Sequence, residues 1–417
     1  LKILIHGINY APEPIGIGKY TGEMAAWLGR QGHSIRVITA PPYYPNWRVQ
    51  GDYKSWKYRR ERINNIDVWR CPLWVPPSPT GMKRIIHLLS FSFSSLPVML
   101  AQIFWRPDII IVIQPPLFCA PQAWFTARLS GAKAWLHIQD FEVAAFLGLG
   151  YASAGLGAMK IILTGIEGCL MRRFDRVSSI SNAMVARISR LKVPRDRIVL
   201  FPNWVDTKHI CPNNEGWKLR SEWGFTDDQK LILYSGNIAK KQGLEMVIDV
   251  AAQLEAKHPH VIFLLVGEGA AKAELVAEVK KRNLKNVIFK DLQPVEKLPA
   301  LLTLADLHLI VQKRGVADAV MPSKLTGVLS AGGFSIITAD DKTELGELVL
   351  SNPGIAVLVE PENPDALKQA LLAYLDHEGS KGTYNVIARK YAEDHLAKDR
   401  VLDKFESKLL ASVEETS

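Results

Sequence analysis

The run Ile109-Ile110-Ile111-Val112-Ile113 offers no polar residue to face water, and it reads as a strand covered on both sides. It is one of thirteen short apolar runs. The first seven lie near 2–6, 34–39, 67–70, 108–113, 133–138, 176–180 and 197–201, and the rest near 230–235, 260–266, 286–290, 306–311, 334–338 and 355–359. Segments with apolar residues at helical period fill gaps between them: Tyr20 to Arg30, Ala183 to Leu191, Leu244 to Ala256, Ala271 to Arg282 and Pro364 to Asp376. Strands alternating with helices require parallel sheets joined by right-handed crossovers. Thirteen strands are many for one sheet, and the series breaks between Pro202-Asn203-Trp204 and Pro212-Asn213-Asn214. The expectation is an α/β protein of two doubly wound, Rossmann-like domains, residues 1–204 and 205–384, in a chain of 417. The last helical stretch, Tyr384 to Leu410, makes residues 385–417 a C-terminal segment expected to pack back on the first domain. In such sheets ligands bind at the C-terminal ends of the strands, so the chemistry is expected in a cleft shared by the two domains.

Charge is divided unevenly between the two halves. Residues 1–190 hold 22 Lys and Arg against 10 Asp and Glu, whereas the whole chain is only +9. A basic half joined to a mildly acidic one points to a single lobe meeting an anionic surface. No nucleic-acid-binding module is recognisable, which leaves a membrane. The four cysteines (Cys71, Cys119, Cys169 and Cys211) contain no Cys-x-x-Cys pair, which fits a reducing compartment and excludes a zinc ribbon. Leu1-Lys2-Ile3-Leu4-Ile5 reads as a strand rather than a leader, so the expected location is cytoplasmic.

Four strand-end loops could bind an anion. After the first strand come Gly16, Gly18 and Lys19, just ahead of a helix, where backbone N–H groups and the helix dipole favour negative charge. No carboxylate follows the second strand, as a dinucleotide fingerprint needs, and Tyr20 stands where a Walker A loop needs Ser or Thr. In the second half, Gly236, Asn237, Lys240 and Lys241 precede one helix, Gly267 ends the next strand, and Ser323 and Lys324 open another helix after Pro322. The three loops of the second half, on one cleft edge, favour a phosphorylated ligand. The strand Ala134-Trp135-Leu136-His137-Ile138 runs out to Gln139 and Asp140, which makes His137 and Asp140 candidate catalytic groups.

Residues Ile85 to Trp105 contain no Asp, Glu, Lys or Arg and are flanked by Lys83, Arg84 and Arg106. The length would allow a spanning helix, but Pro97, four serines and the α/β surroundings argue against one. With Phe91, Phe93, Phe104 and Trp105 interleaved, the reading is an interfacial helix, with a buried helix as the competing one.

Taken together these motifs resemble a family-4-type glycosyltransferase of the GT-B fold. The resemblance is carried by Asn9-Tyr10-Ala11-Pro12-Glu13 with Gly16-Ile17-Gly18-Lys19, by Phe201-Pro202-Asn203-Trp204-Val205-Asp206, by Ser235-Gly236-Asn237 with Lys241-Gln242-Gly243, and by Met321-Pro322-Ser323-Lys324. The opening stretch with Thr39-Ala40-Pro41-Pro42-Tyr43-Tyr44-Pro45 is similar to a colanic-acid-biosynthesis subgroup known as fucosyltransferases. The resemblance implies retaining transfer of a sugar from a nucleotide diphosphate sugar, fucose from GDP-fucose in this subgroup, with no cofactor and no metal. The second domain would bind the donor, and the first a polyprenyl-diphosphate-linked acceptor at the inner face of the membrane. Lys241, Lys324 and helix N-termini would stabilise the leaving diphosphate, the part a metal plays elsewhere. Asp140 or His137 would orient the acceptor hydroxyl or the donor sugar.

The chain departs from the family pattern in three places. Asn237 and Gln242 stand where an Arg and a Lys are common, and Gln139 where a His is usual. The two glutamates that contact donor sugar and ribose match Ala319 and Gly327, leaving Asp318 as the nearby carboxylate. Two other readings remain open: a nucleotide-sugar epimerase on the same plan, and a degenerate, scaffolding relative of the transferases.

Overall fold

The computed structural model describes residues 1–77, 81–115, 117–141, 156–213, 215–315, 323–376 and 383–414. Two compact units emerge, one of residues 1–202 with 402–417, the other of residues 203–401.

The first unit runs β1 (Lys2–His6), α1 (Gly16–Arg30), β2 (Ser34–Thr39), β3 (Arg59–Ile63), β4 (Ile66–Arg70), α2 (Gly81–Ala101), β5 (Ile109–Gln114), α3 (Ala120–Ser130), β6 (Lys133–Ile138), α4 (Leu156–Met171), β7 (Arg176–Ser179), α5 (Asn182–Arg190) and β8 (Ile198–Leu200). Its eight strands lie in the order β3-β4-β2-β1-β5-β6-β7-β8. The pairs from β4 to β8 are parallel. Every residue of β5 is buried, as a central strand covered on both faces should be.

Strand β3 has no counterpart among the thirteen apolar runs. Its sequence Arg59-Arg60-Glu61-Arg62-Ile63 is charged because it is the edge, paired antiparallel with β4. Asn64 and Asn65 both take positive φ, 48° and 64°, the geometry of a tight two-residue hairpin turn. The charges have partners in the fold: Glu61 accepts from Arg70 Nε at 2.7 Å, and Arg70 is 1% exposed.

The second unit runs α6 (Glu215–Glu222), β9 (Lys230–Ser235), α7 (Leu244–Leu254), β10 (Val261–Val266), α8 (Lys272–Lys281), β11 (Val287–Lys290), α9 (Leu298–Thr303), β12 (Leu307–Ile310), α10 (Ser323–Ser330), β13 (Ser335–Thr338), α11 (Glu344–Ser351), β14 (Val357–Val359), α12 (Pro364–Leu375), α13 (Val386–Tyr391) and, entered from this unit, α14 (Lys398–Glu414). Its six strands, β11-β10-β9-β12-β13-β14, are all parallel.

The chain end departs from the single returning helix expected over 385–417. Ala388, Ala392 and Leu396 sit in the core of the second unit with Leu325 and Leu329, which holds residues 385–401 there. Ala397 is extended, and α14 begins after it. From Leu402 onward the helix belongs to the first unit: Phe405 stacks on Phe201 with ring centroids 3.8 Å apart, and Glu406 meets His33 at 2.7 Å.

Candidate active site

In the second unit the strand-end loops interlock. Gly236 N–H donates to Val266 C=O at 2.9 Å, and Ile238 N–H to Glu268 C=O at 2.8 Å. A side chain at Gly267 would place its Cβ 1.9 Å from the Gly236 carbonyl oxygen, and Gly267 has φ +150°. Gly267, expected among the donor-binding residues, is thus a glycine for loop-on-loop packing, and its N–H donates to the Lys290 carbonyl at 3.1 Å. Gly236, with φ +143°, leaves room for Lys324, whose Cδ would lie 3.7 Å from a Cβ there.

Lys324 lies in the first turn of α10, the end of a helix where positive charge is least welcome and anions are favoured. Its ammonium lies 4.2 Å from the centre of the Tyr234 ring and 3.4 Å from the Gln242 Oε1. No carboxylate pairs with it among the described residues. Burial pulls its pKa down to about 7, and the Lys241 charge adds to the shift. Tyr234 also donates its hydroxyl proton to the Asn237 carbonyl at 2.7 Å, so one buried ring supports both the ammonium and the Gly236–Asn237 loop. Ser235, His308 and Gly327 line a small cavity of about 70 Å³ with Lys324.

Other members of the expected donor set are placed differently. Lys240 is exposed and paired with Glu274 at 3.0 Å, on the flank of the loop. Lys241 is exposed, and its carbonyl accepts from Lys313 N–H at 2.9 Å. Ser323 is exposed beside Lys324. Asp318 lies outside the described residues, as do Ala319, Met321 and Pro322. At Gly327, which is buried, a Cβ would meet Leu302 Cδ1 at 3.2 Å, so a side chain there requires Leu302 to shift.

Gly16, Gly18 and Lys19 belong to the first unit. Helix α1 opens at Gly16, φ +64°, with no side-chain cap and no acidic residue in its first turn, which leaves its N–H groups open to an anion. Lys19 is half-buried there. Gly18 has another task, because a Cβ on it would lie 2.4 Å from Glu13 Oε2. It is buried under Glu13. Glu13 was not foreseen as a structural residue. Its carboxylate accepts from Tyr43 N–H at 3.1 Å, Tyr44 N–H at 3.0 Å and Asn9 Nδ2 at 2.9 Å, stitching two strand-end loops together. Burial raises its pKa, against the pull of those hydrogen bonds.

His137 does not have the freedom that a catalytic base needs. It is 2% exposed, Nδ1 lies 2.9 Å from Ser178 Oγ, Nε2 lies 3.0 Å from Gln139 Nε2, and the ring packs on Phe201. Burial lowers its pKa to about 3, so it is a neutral core histidine, which corrects its catalytic assignment. Asp140, in contrast, is exposed just past the end of β6.

Helix α2 buries one stripe, including His87, Leu88, Phe91, Ser95 and Met99, against the first unit. Phe91 packs on His6, 5.6 Å between ring centres, so it is core and not a membrane contact as expected. Phe93 at 71% and Phe104 at 90% are exposed, as is Lys83, while Arg84 is half-exposed. Trp105 is half-buried under the Arg36 guanidinium, 4.3 Å from its ring centre.

Residues 16–204 match the glycosyl transferase 4-like domain, and residues 215–393 match glycosyl transferases group 1. The chain belongs to these glycosyltransferases. It is 48% identical over 413 residues to the colanic acid biosynthesis glycosyl transferase WcaI of Escherichia coli (strain K12), covering 97% of this chain and 98% of that one. Among solved structures, sucrose-phosphate synthase from Thermosynechococcus elongatus aligns at TM-score 0.75 with 15% identity over the whole of both chains. Anabaena Alr3699/HepE in complex with UDP-glucose aligns at TM-score 0.68 with 14% identity, covering 98% of this chain and 99% of that one. Both likenesses show the GT-B fold of this glycosyltransferase.

Proposed function

We propose that this glycosyltransferase moves a hexosyl group, fucose from GDP-fucose, onto a polyprenyl-diphosphate-linked glycan in exopolysaccharide synthesis. One observation carries the donor part of the reading: Lys324, at the start of a helix, holds an ammonium that is short of counter-charge and has Lys241 nearby. A diphosphate supplies the missing negative charge, and it gains more negative charge as the glycosidic bond breaks. The two lysines and the α10 N-terminus are therefore of most use in the transition state, and they suit a metal-independent reaction. Transfer is read as retaining, a same-face displacement through an oxocarbenium-like state in which the donor phosphate takes up the acceptor proton. Asp140 orients the acceptor hydroxyl or the donor sugar. The exopolysaccharide acceptor is read from the likeness to WcaI, and fucose from the resemblance of the opening stretch with Thr39–Pro45 to the fucosyltransferase subgroup.

The working place is the inner face of the plasma membrane, with the protein cytoplasmic and peripheral. Gly81–Trp105 is long and apolar enough to cross a membrane, with a mean hydropathy of 1.5, yet one face of α2 is committed to the core. The opposite face carries Met82, Ile86, Phe93 and Leu96 exposed, beside Lys83 and Arg84, as an interfacial helix does. Calorimetric titration of the detergent-purified protein with GDP and UDP, without metal, tests the donor reading. Preference for GDP is the expected result. Preference for UDP discards fucose, and binding of neither discards the transferase reading in favour of a scaffold.

A further inference from the structure

The first unit contains a second cationic recess, distinct from the α1 N-terminus. It has a volume of about 390 Å³, within the range of small-ligand sites, and Lys54, Lys57, Arg59 and Arg70 all line it. Tyr53 and Tyr58 form aromatic walls, with the Arg59 guanidinium 4.6 Å from the Tyr53 ring centre. Asp52 is the carboxylate in the lining, and Glu61 is ion-paired to two of the lining arginines, Arg70 at 2.7 Å and Arg59 at 3.3 Å. Lys54 and Lys57 are exposed and make no ion pair among the described residues. The recess lies where β2 and β4, paired in parallel, reach their C-terminal ends: Pro41 follows β2 and Arg70 ends β4. That is the sheet edge at which ligands bind in open α/β sheets.

Its neighbour is what narrows the ligand. Tyr58 donates its hydroxyl proton to the Ser94 carbonyl of α2 at 2.8 Å, and Ser94 Oγ donates to the Pro72 carbonyl at 2.6 Å. The residue before Ser94 in α2 is Phe93, 71% exposed, with Leu96 exposed further on, and Trp56 is 74% exposed on the loop itself. A cationic recess thus opens beside an apolar helical face. A soluble anion would use only the first, and a bare hydrocarbon only the second.

We propose that this recess binds the diphosphate of a polyprenyl-diphosphate lipid, with its hydrocarbon passing along the exposed face of α2. Lys54 and Lys57 are the residues that hold the phosphates, and Arg59 and Arg70, which share Glu61, add to the field. The inference rests on the reading of the acceptor as lipid-linked, and it assigns that acceptor's charged end to named residues.

The test uses the full chain and flotation with neutral phosphatidylcholine vesicles. One set carries polyprenyl diphosphate, and a second carries phosphatidylglycerol at matched charge. Wild type should prefer the first set, and inorganic pyrophosphate should compete. The double variant Lys54→Ala with Lys57→Ala should bind the diphosphate vesicles about tenfold more weakly, with at most about a twofold loss on phosphatidylglycerol. Equal losses on both sets would make these lysines part of a general anionic-lipid surface and overturn the proposal. No loss on the diphosphate set, or no preference by wild type, would overturn it as well. GDP and UDP titration of the same samples reports separately on the transferase reading: the double variant should bind nucleotide as wild type does, and failure of nucleotide binding leaves the vesicle result readable.

Discussion

His137 in the first unit and Lys324 in the second are both titratable groups set near the ends of buried strands, and burial moves both towards their neutral forms. They differ in what surrounds them. His137 has Ser178 and Gln139 on its two ring nitrogens and Phe201 on its face, so the protein has already met its needs. Lys324 has an aromatic ring and a distant amide oxygen, and a second lysine that works against it. A buried polar group with its partners in place is structure. A half-buried charge without a counter-charge is a candidate for binding a ligand.

Removing the unsatisfied charge should have the largest effect. Lys324→Ala is expected to lower kcat/KM by about 10³-fold, the scale of losing a charge-stabilising donor in the transition state, measured by steady-state transfer. A loss of less than tenfold would break the comparison. Lys241→Ala should cost about 10²-fold in turnover. Because Lys241 holds the Lys324 pKa down, the same variant sharpens the argument through pH. In the free wild type Lys324 is charged below about pH 7 and loses its proton above it. Affinity for a nucleotide diphosphate should therefore be level at lower pH and fall as pH rises past about 7, where binding must take up a proton. In Lys241→Ala that fall should begin at higher pH, read by calorimetry in buffers of differing ionisation heat.

Asp140→Asn should lower turnover by about tenfold, the scale of a lost orienting contact, with nucleotide affinity unchanged. His137→Gln should have the smallest catalytic effect, within about threefold, while stability falls by about 1–3 kcal/mol from the disturbed hydrogen bonds, seen as a lower Tm. Since the pKa of His137 is about 3, it should contribute no inflection to the pH–rate profile near neutrality. Turnover lost by more than about 10² at unchanged Tm would show that His137 is catalytic and that saturation by neighbours is a poor guide.

The glycine-rich stretches divide along the same line. Gly16 stands at an uncapped helix start with φ +64°, whereas Gly18 and Gly267 are glycines because Glu13 and the Gly236 carbonyl occupy the space a Cβ would need. Nothing local in the sequence separates these cases, since the clashing atoms lie on other loops.

Apolar strands, helical periods and the break near residues 202–214 were legible along the chain, because burial on both faces of a parallel sheet forces continuous apolar runs. Edge strand β3 was not, because an edge has one open side and charged residues satisfy it. Lys324 could be read as a candidate from its place at a helix start after a strand. What only the tertiary structure decided is which polar residues are already satisfied: the partners of His137, Glu13, Gly18 and Arg70 come from distant strands and loops, and a hydrogen bond depends on distance in space, which sequence separation does not record.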